Sequence, residues 1–282
     1  GLSDVVRRTP MKSGTIRGSR GDLRLLRQEL RHLFHSPSLL LMIVIVAGIA
    51  ATAPTLVLLA HTESATPIHQ RLVSRLTTGD PVLHLWFTRI YLPLTGLIVP
   101  VMLAAARFRH PSFRDALILH RLRGTQARSL YATRFVAAAI TLGLISLGGN
   151  ALAMLRLVRT TNFTMVPRFM AGAYLSMLCS VFAFSLASLL HIVLRTRSRA
   201  VLAGTLLILV MQLPILLAPG IPHYPASLLS PFAYITHIIH MNPGDMAPFV
   251  HAATIVFIAI LIPYFIAMRR LTITANPAAE PG

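Results

Sequence analysis

Hydrophobic positions in this 282-residue chain do not alternate with polar ones; they gather into six long runs. The runs are Ser38 to Ala60, Leu83 to Ala106, Thr133 to Leu155, Phe169 to Leu194, Ala200 to Ala218 and Ala247 to Met268. Each comes close to the about 20 residues with which a helix crosses a bilayer core. A surface helix of a soluble protein would show a one-sided apolar stripe, whereas these runs are apolar all round. The pattern predicts an all-α integral membrane protein with six transmembrane helices.

The polar gaps between the runs set an orientation. Arg7, Arg8, Lys12, Arg17, Arg20, Arg24, Arg27 and Arg31 precede the first run, and Arg107, Arg109, Arg114, Arg121, Arg123, Arg128 and Arg134 surround the second gap. Arg195, Arg197 and Arg199 fill the fourth gap and Arg269 and Arg270 follow the last run, while the fifth gap holds no Lys or Arg. Positive charge collects on the cytoplasmic side, so both termini and the even gaps are expected there, in a bacterial inner membrane. The first run is longer than a signal-peptide core and follows a long polar segment, so no cleaved leader is expected.

Composition narrows the class without changing it. Hydrophobic residues make up 55% of the chain and charged residues 12%, half the share usual in a soluble domain. A net charge of +18 would ordinarily suggest a nucleic-acid partner, but here the basic groups border the spans and are accounted for by topology and anionic membrane lipid. No nucleic acid is expected. The lone Cys179 lies inside the fourth run, where it acts as a small hydrophobe. Gly148 and Gly149 lie inside the third run and suit close helix packing.

Two cytoplasmic segments have helical patterns of their own. From Asp22 to His35, Leu23, Leu26, Leu30 and Leu33 recur at helical spacing, with Arg24, Arg27 and Arg31 beside them. Asp22 is placed to cap this helix, and Ser36-Pro37-Ser38 to break it. An interfacial elbow over residues 22–37, leucines toward acyl chains, follows a disordered basic stretch over 1–21. In the second gap, Ser112 and Asp115 form a capping pair and Gly124 a stop, which predicts a short helix from Phe113 to Arg123. A solvated connector would suffice for that segment. Phe113, Leu117 and Ile118 among Arg114, Asp115, Arg121 and Arg123 favour instead a docking helix for another protein.

Taken together, Glu29-Leu30-Arg31 before the first span, the arginine-rich helical loop between spans two and three, and Leu229-Ser230-Pro231-Phe232 before the last span resemble an ABC transporter permease of the type 2 exporter family. The similarity covers roughly residues 22 to 270 and rests on the order and spacing of the three segments. It implies a permease domain over 38–270, a cytoplasmic tail over 271–282, and a working dimer of permease subunits, alike or different, on nucleotide-binding ATPase subunits. It also implies that Pro111 to Arg123 holds the coupling helix that enters the ATPase, and that Glu29 belongs to the elbow with Leu23, Leu26, Leu30 and Leu33. Family members often carry a Glu and a Gly-Thr run at the start of this loop. Here His110-Pro111-Ser112 stands there and Gly124-Thr125 comes later. Between spans five and six the family often has an extracytoplasmic re-entrant element, and proline-rich Gly220 to Pro248 matches it in position.

Chemistry missing from the sequence bears on the same question. No phosphate loop of the G-x-x-x-x-G-K-[ST] form is present, so ATP and Mg would be bound by partner chains. Neither an H-E-x-x-H motif nor an acidic pair within a span supports an intramembrane enzyme, and no metal is expected at His223, His237 and His240. A catalytically silent membrane anchor for a cytoplasmic complex is the competing class. With spans two and five facing the path, as the resemblance implies, Thr95 and Gln212 are its candidate lining. Pro93, Pro100 and Pro214 would kink those spans. A weakly charged path points to a hydrophobic or amphipathic substrate, such as a lipid, drug or peptide.

Overall fold

The computed structural model describes residues 18–63, 83, 85–108, 112–122, 127–157, 166–194, 196–217, 230–239 and 246–273. Among them there is no strand. The α-helices are α1 (Gly18–Phe34), α2 (Pro37–Glu63), α3 (Val99–Arg107), α4 (Ser112–Leu122), α5 (Ala127–Leu157), α6 (Val166–Val193), α7 (Arg197–Leu217), α8 (Tyr234–Ile239) and α9 (Ala247–Ile273). Among the described residues, four helical stretches are long and apolar enough to cross a membrane: Pro37–Thr55, Ala127–Leu157, Val166–Val193 and Ala247–Thr272. Leu85–Tyr91 and Leu94–Arg107, bent by 46°, make a fifth if the pair counts as one span. The bend falls at Pro93, between the π-helical turns Leu85–Tyr91 and Leu94–Ile98. Proline removes one backbone donor and pushes on the preceding turn, and both effects favour a kink there.

The helix α6 is the axis around which the rest assemble, packing on α3, α5, α7, α8 and α9. Its buried face carries Gly172, Ser176, Ser180, Ala183 and Ala187, small residues that bring backbones close where lipid supplies little hydrophobic drive between helices. At Gly172 a Cβ would sit 2.8 Å from the Phe87 ring. The outward faces of α2, α7 and α9 expose Leu41, Val44, Leu202, Val210, Phe257 and Phe265. So large an apolar surface needs acyl chains to cover it.

Helix limits follow local chemistry. Ser36 caps α2, its Oγ accepting from Leu39 N at 3.2 Å, with Pro37 in the first helical position. At the other end of the chain, α9 runs five residues beyond the apolar run, through Arg269 and Arg270 to Ile273. One expectation needs correction at α1. The helix includes Gly18 to Gly21, so Asp22 lies inside it rather than at its cap. Gly18 and Gly21 weaken a helix without forbidding it.

Of the stretch from Gly220 to Pro248, residues 230–239 and 246–248 are described; they hold a 3-10 turn, Pro231–Ala233, running into α8, and the start of α9. Phe232, Ile235, Ile238 and Ile239 are fully buried there, and Cys179 Sγ approaches Pro231 O at 3.6 Å. His223 and His240, and the side chain of His237, lie outside the described residues.

Candidate functional site

Leu26, Glu29, Leu30 and Leu33 occupy positions i, i+3, i+4 and i+7 of α1, so the carboxylate shares the leucine face. The structure turns that face onto the bundle, against α5. Leu33 is 2% exposed, Leu26 and Leu30 pack against the core, and only Leu23, 65% exposed, keeps the outward position expected of the elbow. The leucines therefore face protein, not acyl chains. The reason is Glu29, which needs a cationic partner when it leaves water.

It has two. Arg107, at the end of α3, is ion-paired through Nη2 to Glu29 Oε2, and the same nitrogen donates to the Glu29 carbonyl at 3.3 Å. Arg134, in the second turn of α5, donates from Nε to Glu29 Oε1 at 3.2 Å and from Nη1 to the Arg107 carbonyl at 3.1 Å. Neither arginine was singled out for a role beyond topology. The signal available in sequence was a carboxylate in an apolar stripe beside an arginine-rich loop.

Arg134 also reaches α4. Its guanidinium carbon lies 5.3 Å from the centroid of the Phe113 ring. Phe113 meets Phe108 edge-on at 5.3 Å, and Phe108 continues into Tyr131 and Phe184. Phe113 is only 7% exposed and Leu117 packs against the core, so these two fasten α4 to the bundle instead of presenting it. Asp115, Ile118 and Leu119 point outward, Ile118 47% and Leu119 56% exposed. Leu119 was not among the candidates, although its spacing from Asp115 and Ile118 puts it on their face. The side chains of Arg114 and Arg121, and all of Arg123, Gly124 and Thr125, lie outside the described residues.

Toward the other end of the bundle the polar groups are neutral. Trp86 Nε1 donates to Asn150 Oδ1 at 3.0 Å, while Asn150 Nδ2 donates to Ser146 O at 3.0 Å and Ser176 Oγ at 3.3 Å. Span two, α5 and α6 are thereby pinned together. Thr95 and Gln212 come near each other, because Gln212 Nε2 donates to Gly96 O at 3.2 Å while Thr95 Oγ1 donates within its own helix to Tyr91 O. Both are buried. Gln212 Oε1 is buried with no hydrogen-bond partner among the described residues.

The class of protein these features define is a helical, multi-pass membrane protein. Compared with known proteins, the chain matches no family model and no curated sequence.

Proposed function

We propose that this chain is the membrane-spanning permease subunit of an ATP-driven exporter of the ABC type 2 kind. It would cross a bacterial plasma membrane six times with both termini cytoplasmic, α7 serving as the fifth span. At 21 residues, α7 is roughly 31 Å long, enough for the hydrocarbon core. One observation carries the reading: α4 is clamped to the bundle by Phe113 and holds Asp115, Ile118 and Leu119 outward, while Arg134 joins it to α1 and span two. A push on the outer face of α4 would pass through the Phe113 ring and Arg134 into three elements at once.

In this reading α4 is the coupling helix and α1 the elbow. Separate nucleotide-binding subunits hold ATP and Mg, and their closure drives α4. A second permease subunit completes the path, which carries a hydrophobic or amphipathic substrate. The buried Pro231–Ile239 segment is the re-entrant element on the outer side. None of these assignments requires chemistry from this chain.

The test is to purify the protein from native membranes with whatever binds it. A co-purifying ATPase is expected, and Ile118→Asp with Leu119→Asp should abolish its association while the permease keeps its melting temperature, since both side chains are exposed. Recovery only of partners without nucleotide-binding capacity would favour the anchor reading. A double variant that still couples to the ATPase would remove α4 from the mechanism.

A further inference from the structure

A crevice of about 220 Å³ opens between the end of α1, the start of α2 and the end of α3. Ser36, Ser38 and Arg107 supply its polar wall; Leu39, Met42 and Leu103 supply its apolar one. We propose that it binds the phosphate of an anionic membrane phospholipid, with the first part of an acyl chain along Met42 and Leu103. This inference requires only that the bundle sits in a bilayer, and it holds whether or not an ATPase docks on α4.

Charge is the first argument. Among the described residues, Glu29 carries one negative charge against the two positive charges of Arg107 and Arg134, which leaves one positive charge in excess beside the crevice. Donors are the second. Both hydrogen bonds from Arg107 to described residues leave from Nη2, so no described residue takes up its Nη1 donors. Ser36 Oγ and Ser38 Oγ are 2.8 Å apart and share one hydrogen bond, which leaves one of their two hydroxyl hydrogens to donate elsewhere. Position is the third. The crevice lies where a membrane span begins, so its polar wall stands at headgroup depth and its apolar wall at acyl depth. Exposed Arg24, Arg27 and Arg31 on α1 add positive charge to this end of the bundle, which favours an anionic headgroup over a zwitterionic one.

The experiment uses the full chain in lipid-free detergent, titrated separately with phosphatidylglycerol, phosphatidylcholine and inorganic phosphate while its melting temperature is followed. Phosphatidylglycerol should raise the melting temperature in a saturable way, at concentrations where the other two have no effect. Ser38→Glu places a carboxylate at the crevice in the first turn of α2, where a negative charge suits the helix. Its melting temperature without lipid should stay at the wild-type value, and its half-saturating phosphatidylglycerol concentration should rise about fivefold. Ser38→Ala, which removes only the hydroxyl, should shift the titration less and in the same direction. Equal protection by phosphatidylcholine, or protection by inorganic phosphate alone, would overturn the lipid assignment. Wild-type titration of both Ser38 variants would remove the ligand from this crevice.

Discussion

The two ends of α5 are held by different physics. Near its start, Arg134 takes part in a charged cluster with Glu29 and Arg107, extended by the Phe113 and Phe108 rings. Sixteen residues on, roughly 24 Å along the axis, Asn150 takes part in a cluster with no formal charge, bonded to Trp86 and Ser176. The charged cluster stands at the end of the spans, where water and headgroups limit the cost of desolvation. The neutral one lies within them, where a carboxylate would be far more expensive. Depth thus decides which polar glue a helix can carry, and the charged end is where the larger mutational effects belong.

Removing the carboxylate tests that contrast most directly. Glu29→Gln keeps the shape and leaves Arg107 and Arg134, with side chains 15% and 17% exposed, beside each other without a counter-charge. Breaking a pair as buried as this one should cost about 3 kcal/mol in reversible unfolding from mixed micelles. Adding Arg134→Gln should restore part of the loss, because the double variant no longer holds two adjacent unpaired cations. A loss under about 0.5 kcal/mol would mean that water screens the cluster as it screens surface pairs, and the contrast between the ends would fail.

Packing at the neutral end supplies a matched pair. A Cβ on Gly149 would sit 2.7 Å from Tyr91 Oη and 3.0 Å from Val46 Cγ1, whereas one on Gly148 would meet nothing within 4 Å. Tyr91 is fully buried and donates its hydroxyl to Ser146 O, so it has little room to yield. Gly149→Ala should therefore cost about 2 kcal/mol, and Gly148→Ala should be neutral or slightly stabilising. Equal effects at the two positions would show that α5 shifts freely against span two.

Sequence made the charged end legible in outline and the neutral end barely at all. Long apolar runs announced α2, α5, α6 and α9 because membrane helices are apolar on every side, and Ser112 and Gly124 framed the segment that holds α4. The partners of Glu29 were hidden by distance along the chain, 78 residues to Arg107 and 105 to Arg134. In a segment so rich in arginine, every cation looked like a topology signal. The burial of Phe113 was hidden for a related reason: a lone aromatic in a basic loop reads as a docking anchor until Phe108 and Arg134 are seen to enclose it. Pro93 marked a kink in span two, but nothing in its residues specified π-helical turns on either side of it.

The smallest effect belongs to the hydrogen bonds themselves. Asn150→Leu removes the acceptor for Trp86 and the donor to Ser176 while keeping side-chain volume. Interhelical hydrogen bonds in membrane bundles contribute less than their burial suggests, because the unfolded helices find other partners, so the loss should be about 1 kcal/mol. Trp86 is the only tryptophan in the chain, which gives this change an optical readout independent of stability. Losing a carbonyl acceptor from the indole N–H should move its emission to shorter wavelength, while Glu29→Gln, at the far end of α5, should leave that emission unchanged. If Asn150→Leu instead cost as much as Glu29→Gln, neutral bonds would fix this bundle as firmly as charged ones. The two ends would then differ in chemistry without differing in what they contribute.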